Sequence, residues 1–251
     1  MPEIFSNSKD GHISYYSSTT WATARSSGTG TSLSATLTAN QQAVATRYVS
    51  GRGGTVAQIN RSFFSFDTSG ISSPPSSATL KIYGYISGTS DIIVVRATNT
   101  GGSTGLSTAD FDALHGASTA LSNSDGAGAG TLAGISGLDY SAEVATWSTS
   151  GYNDITLNSE ARTQMANLNN FNIAVLNYDH DYLDIASVGS TPVVYAGMYY
   201  ADYTGTSRDP KIDYTTGTAG YGNTVIGVSS ANIASVKGVA TADIANIIGV
   251  D

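Results

Sequence analysis

The chain has no cysteine, so neither a disulfide nor a thiolate-ligated metal can hold it together. Charge is scarce as well: 12% of the residues are Asp, Glu, Lys or Arg, and the formal net charge is −8. Such a balance excludes generic attraction to nucleic acid or to anionic membranes. No apolar run approaches the roughly 20 residues that a membrane-spanning helix needs, so no membrane insertion is expected. The first ten residues, Met-Pro-Glu-Ile-Phe-Ser-Asn-Ser-Lys-Asp, lack the basic patch and apolar stretch of a secretory leader, and none is expected. Glutamate occurs only at Glu3, Glu143 and Glu160. Glycoside cleavage uses two carboxyl groups that face each other across a groove. Glu160 suits the start of a helix and Glu143 alternates outward in a strand-like stretch, so no hydrolytic pair and no enzymatic activity are predicted.

What the 251 residues do contain is apolar content enough for a core, 40% of the chain, together with 28 glycines and many small polar residues. That composition fits strands joined by tight turns and does not fit helical bundles. The organising stretch is Arg61-Ser-Phe-Phe-Ser-Phe-Asp67 followed by Ala78-Thr-Leu-Lys-Ile-Tyr-Gly-Tyr-Ile86. Phe64 and Phe66 fall on one side of an extended chain, as do Leu80, Ile82 and Ile86. Gly70, Pro74, Pro75 and several serines between them can continue neither strand. Ile13–Tyr16, Thr20–Ala24, Leu33–Leu37, Ala43–Val49, Asp91–Ala97, Tyr140–Trp147, Asp154–Leu157, Phe171–Tyr178, Val193–Tyr203 and Lys211–Tyr214 are further strand candidates. Phe171, Ile173 and Val175 share one face, with Ile173 and Val175 expected in the core. Ser107 to Asp110 has the form of a capped single turn, and Ser159–Leu168 that of a helix with Ser159 as cap. The expectation is an all-β, jelly-roll-like antiparallel β-sandwich over residues 1–216 with one or two short helices.

Residues 217–224 read as a linker. Beyond it, residues 225–251 repeat every 11 positions: Gly227, Gly238 and Gly249, then Val228, Val239 and Val250. Ser230 and Thr241 sit at cap positions, with Gly238 and Gly249 where left-handed helix ends belong, which predicts a small element of short α-helices. Two-turn helices are not stable alone in water, so they must pack on something. Val228, Ile233, Val236, Val239, Ile244 and Ile247 are the candidate assembly surface, toward identical subunits or another protein.

Two polar features bear on binding. Asp179, Asp181 and Asp184 lie within Asn177-Tyr-Asp-His-Asp-Tyr-Leu-Asp184 and supply oxygens suited to Ca²⁺ at the end of a strand, though without the EF-hand pattern; a solvated turn is the plainer alternative. No other cofactor is expected. Eight of the 15 tyrosines lie between Tyr178 and Tyr221. Tyrosine joins an apolar ring to a polar tip, so Tyr199, Tyr200 and Tyr203 are candidates for glycan contact. Neighbouring strand residues face opposite ways, so Tyr199 and Tyr200 cannot both serve.

Several of these pieces, in order, resemble the DNRLRE-type β-sandwich domains, a jelly-roll family related to carbohydrate-binding modules. They are Arg61–Asp67 with its Ser/Pro loop and Ala78–Tyr83, then Ser159–Leu168 with Asn169-Asn-Phe171, and then Tyr199–Tyr203 with Ser207-Arg-Asp-Pro210 and Lys211–Tyr214. The family's closing Ser-Arg-Glu-like signature stands here as Tyr-Ala-Asp, residues 200–202. The C-terminal Gly-Val-x-x-Ala-Asn-Ile repeat is similar to the ends of tail and other virion proteins of tailed phages, marine ones especially. The two resemblances imply a non-enzymatic structural or adhesion protein on the surface of a tailed-phage virion, as fibre, tail or capsid-decoration component, assembled in the host cytoplasm. It would contact host surface polysaccharide and dock to other virion proteins or to itself. A secreted bacterial glycan-binding module and a polysaccharide depolymerase are the alternatives.

Overall fold

The computed structural model describes residues 1–35, 39–52, 54–88, 91–98, 105–117, 130–185 and 194–217, with the backbone of 235–236 and 239–240. The strands in chain order are β1 Glu3–Phe5, β2 Gly11–Ser17, β3 Ser32–Ser34, β4 Ala39–Gly51, β5 Gly54–Asp67, β6 Ser77–Gly88, β7 Ile92–Arg96, β8 Tyr152–Thr156, β9 Asn170–Asn177, β10 Val194–Tyr199 and β11 Lys211–Thr215. All their pairings are antiparallel, and the fold is an all-β sandwich-like one with few short helices. One layer is β1-β11-β6 with β8 on β6; the other holds β10, β4, β5, β2 and β3, with β9 and β7 alongside β5. The long strands β5 and β6 tie the parts together by changing partners along their length. β5 pairs with β4 through Gly54–Asn60 and with β9 through Ser62–Asp67. β6 pairs with β11 and β8 through residues 77–83 and with β10 through its last residues.

Between the layers lies the core expected from the sequence. Phe64, Phe66, Leu80, Ile82, Ile173 and Val175 are all buried there, with Phe171, Val94, Ile155 and Met198. A second apolar cluster covers the opposite face of the β5/β9/β7 strands: Phe63 and Ile59 from β5, Ala174 and Leu176 from β9, Ile93 and Val95 from β7. Trp21, Phe111, Leu114, Leu132, Leu138 and Tyr182 close it from outside. Strands covered on both faces cannot alternate apolar with polar, which is why Ile92-Ile-Val-Val95 is a continuous apolar run. Burial contributes about 1.5–3 kcal/mol for each large side chain, so this outer layer is part of the fold and not decoration.

Four local expectations are corrected, the first being Tyr140–Trp147, which forms no strand and makes one isolated bridge to β7, Val144 with Ile92. Thr20–Ala24 is not a strand: Trp21–Arg25 is a helix, α1, because the Thr20 side chain caps it by accepting from the Thr23 N–H. The second helix, α2, spans Ser159–Asn167, and its cap is Asn158, whose Oδ1 accepts from the Ala161 N–H at 2.9 Å; Ser159 already lies inside. In the C-terminal repeat, Ser235–Val236 and Val239–Ala240 form a small antiparallel ladder, β12 and β13, with Val236 opposite Val239, where helical residues were expected. β-Branched valines on either side of a Lys-Gly pair in sequence favour a hairpin over a helix end. Val228, Ile233, Ile244 and Ile247 lie outside the described residues. Among the described residues no helix is long and apolar enough to cross a membrane.

Candidate functional site

The alternation that buries Leu80, Ile82 and Gly84 of β6 turns Lys81, Tyr83 and Tyr85 to the other face of the sheet. Register then gathers partners around them. Tyr83 lies opposite Tyr152 of β8, and their rings are 5.2 Å apart, edge to face. Lys81 lies opposite both Asp154 and Lys211. β10 joins the far end of β6 with a bulge between Gly197 and Met198, and its register on β4 shifts between Ala196 and Met198. A side chain at Gly197 would come within 2.6 Å of Ile86 Cγ2 and 2.9 Å of the Asn40 carbonyl, so only glycine fits the bulge. Past it, Tyr199 stands on the outer face, 5.5 Å from the rings of Tyr83 and of Tyr85 and 5.1 Å from Tyr203.

Arg208 sits at the centre of this group. Its guanidinium lies 4.7 Å from the Tyr199 ring centre, 4.9 Å from Tyr203 and 5.1 Å from Tyr83, and it donates to the Tyr199 hydroxyl. At the other end Lys211 lies 5.6 Å from the Tyr152 ring and 5.8 Å from Phe5 of β1. Tyr85 is 47% exposed and Phe5 37%, so the two ends of this aromatic band are open to solvent. The phenol of Tyr152 is held above its ordinary value first by burial and then by Asp209, Glu3 and Asp213; it donates to the carbonyls of Ser207 and Asp209. The two lysines are neutralised locally, Lys81 by Asp154 at 2.8 Å and Lys211 by Glu3 at 2.7 Å. A band of tilted rings with hydroxyl edges and a guanidinium offers apolar faces together with hydrogen-bond donors and acceptors. Such a surface suits a wet, polyhydroxylated partner.

Of the tyrosines expected here, the structure separates Tyr200 from the other two. Tyr200 is 1% exposed; its ring stacks 5.7 Å from Phe64, and its hydroxyl bonds Ser62 Oγ at 2.8 Å. It is a core residue, and its opposition to Tyr199 follows from strand alternation, as expected. Tyr83, Tyr85, Tyr152 and Arg208 were not singled out from the sequence. The Lys-x-Tyr-x-Tyr alternation of residues 81–85 was a visible signal for two of them. The pairing that brings in Tyr152 and the turn that returns Arg208 depend on tertiary register.

Of the three aspartates expected to bind Ca²⁺, Asp179 is half-buried in the Tyr178–Tyr182 turn, and Asp181 and Asp184 are engaged by other side chains. Asp181 is fully buried, and its two oxygens are held by Arg61 Nε at 2.7 Å and Nη2 at 2.8 Å, with Arg25 Nε 3.6 Å away. Asp184 accepts from Trp21 Nε1 at 3.0 Å and lies 3.5 Å from Arg25 Nη1; burial lifts its carboxyl above the ordinary range, and Arg25 and Trp21 pull it back. Arg61 also lies over the Phe111 ring at 4.2 Å and donates to the Phe111 carbonyl. These oxygens are taken up by two buried guanidinium groups, so the cluster is an internal ion network that ties α1 and β5 to the one-turn π-helix Tyr178–Tyr182. Among the described residues no three His, Asp or Glu side chains are gathered to hold a metal ion.

Two carboxyls do share a groove. Glu143 and Asp154 both line a cleft of about 320 Å³ between the extended 141–146 segment and β8. Asp154, however, holds Lys81 Nζ with both oxygens at 2.8 Å, which opposes use as a general acid. No protein-family model matches the chain, and no curated protein matches it.

Proposed function

We propose that the protein is a non-enzymatic structural or adhesion protein of a tailed-phage virion, which touches host surface glycan through the outer face of β6 and its neighbours β8 and β10. The observation that carries this reading is the band of Tyr152, Tyr83 and Tyr199, with Tyr85 and Tyr203 each against Tyr199 and Arg208 among them, the touching ring centres being 5.1–5.5 Å apart. Five aromatic side chains kept at a surface, next to a core that could have absorbed them, are a cost without a partner. The resemblance of the body to carbohydrate-binding domains and of the C-terminal repeat to virion proteins supports the same assignment. The commitment of Asp154 to Lys81 favours binding over cleavage.

A glycan microarray and a retention assay on host cells, run with the full chain, test the reading. Tyr85→Ala and Tyr203→Ala each remove an anchoring ring and should weaken retention by about thirtyfold, the equivalent of roughly 2 kcal/mol at a central aromatic contact. Their unfolding midpoints should stay near that of the wild type. Tyr200→Ala is the contrasting control: it should lose about 3–5 kcal/mol of stability through a cavity beside Phe64. Retention unchanged in both surface variants, or no glycan and no host cell bound by the wild type, would remove the proposal.

A further inference from the structure

Three carboxylates, two buried and one half-buried, lie where the chain enters and leaves the sandwich: Asp10 before β2, Asp202 after β10 and Asp209 before β11. Asp10 is 1% exposed and Asp209 7%. One oxygen of each, Asp10 Oδ1, Asp202 Oδ2 and Asp209 Oδ1, is buried without a hydrogen-bond partner. Asp202 and Asp209 both bear electrostatically on Asp10, and Asp202 bears on Asp209. None of the ion pairs among the described residues includes any of the three. The other oxygen of Asp10 is engaged: Oδ2 accepts from the Ala201 N–H at 3.0 Å and from Ser6 Oγ at 3.1 Å. Asp10 thereby joins the N-terminal turn to the 201–209 turn, which carries Tyr203 and Arg208. The ends of that turn are fixed independently, by the buried Tyr200 and by the Ser6 N–H donating to the Pro210 carbonyl at 2.8 Å, while residues 204–207 between them are exposed.

We propose that Asp10, with Asp202 and Asp209 beside it, is a proton-operated latch: a proton on Asp10 keeps the 201–209 turn docked on the N-terminal turn, and its loss releases the turn. Asp10 and Asp209 are both buried and enter none of the ion pairs among the described residues, so the ionised form of each lacks solvent and a counter-charge there. Burial pushes Asp10 up to about 7, with Asp202 and Asp209 adding in the same direction, against the opposing hydrogen bonds from Ala201 and Ser6. The remaining neighbours do not compete for this proton. His12, which stacks on Tyr200, is lowered by burial to about 4 and stays neutral, and burial keeps the Tyr200 phenol protonated. Lys9 adjoins Asp10 in the N-terminal turn. The folded state holds a proton on Asp10 that the unfolded chain, at 3.8, has already lost. The stability due to this proton is therefore complete below about pH 4, declines as pH rises and is gone above about 7. The consequence for glycan contact rests on the tyrosine band described above; the latch itself is independent of it.

The test needs no glycan. Unfolding midpoints and amide hydrogen exchange are measured on the full chain from about pH 5 to about pH 9, for the wild type and Asp10→Asn. Asparagine still accepts from Ala201 and cannot ionise. The wild-type midpoint should fall relative to that of Asp10→Asn as pH rises toward 7, and exchange at 201–209, corrected for its intrinsic pH dependence, should quicken above 7 in the wild type alone. Asp202→Asn and Asp209→Asn, which keep Asp10, should move the wild-type transition to lower pH; they decide the matter if Asp10→Asn does not fold. Parallel pH profiles for the wild type and all the variants that fold would overturn the latch. So would millimolar calcium chloride that, at about pH 8, raises the wild-type midpoint but not that of Asp10→Asn, since the site would then take a cation. Loss of glycan binding with an intact pH transition would sink the binding proposal and leave the latch standing.

Discussion

Asp181 shows what a single buried charge decides in this protein. Arg61 and Arg25 are both fully buried, and Asp181 is the carboxylate they share, with Asp184 supplying the second negative charge. Removing Asp181 leaves two desolvated guanidinium groups with half their compensation. Asp181→Asn should therefore cost about 3–5 kcal/mol in denaturant unfolding, whereas Asp179→Asn, two residues away, should stay within about 0.5 kcal/mol. Similar small effects at both positions would mean that the guanidinium groups find water instead. Composition shows aspartates clustered after a strand but not which of them turns inward, and a cation-binding loop and an arginine-binding loop look alike at that level. The arginines that settle it lie 120 and 156 residues away in sequence.

At the scale of elements, strand periodicity was legible wherever one face is solvated. β6 alternates buried and open residues, and its partition into Leu80/Ile82 and Lys81/Tyr83/Tyr85 could be read directly. β9 could be oriented, since Phe171, Ile173 and Val175 share one face, but β7 could be recognised only as a strand, because burial on both faces removes its alternation. Helices short enough to hang on one cap were the hardest. α1 has five residues, too few for a period, and its Thr20 cap sits in a Ser/Thr-rich stretch where several residues could cap. α2 was placed correctly but started one residue early, at Asn158, which does two jobs: Oδ1 caps the Ala161 N–H, and Nδ2 donates to the Asp139 carbonyl at 2.6 Å. Asn158→Ala should lose about 1–2 kcal/mol, against a few tenths for Ser159→Ala, in paired denaturation curves. Equal costs would return the cap to Ser159.

For the whole molecule, the question is what the sandwich leaves to the rest of the chain. β11 is its last strand, lying between β1 and β6, and the Tyr214 N–H donates to the Pro2 carbonyl at 3.1 Å. The polypeptide thus completes its large sheet beside its own N-terminus by Thr215, before the 11-residue repeat begins. Among the described residues, the side chains that build the two apolar clusters reach no further along the chain than Ile212 and Tyr214. A chain ending at residue 217 should therefore fold, with an unfolding midpoint within a few degrees of the full chain and an unchanged near-UV spectrum. The repeat would contribute elsewhere: Ile233, Val236, Ile244 and Ile247, if buried against a second surface, are worth about 1.5–3 kcal/mol each, enough to hold subunits together. Light scattering on the full and shortened chains separates the cases. A full-length oligomer that becomes monomeric on shortening assigns assembly to residues 225–251. A shortened chain that keeps the oligomer, or that no longer folds, shows that the repeat serves the sandwich itself and returns the assembly surface to its outer faces.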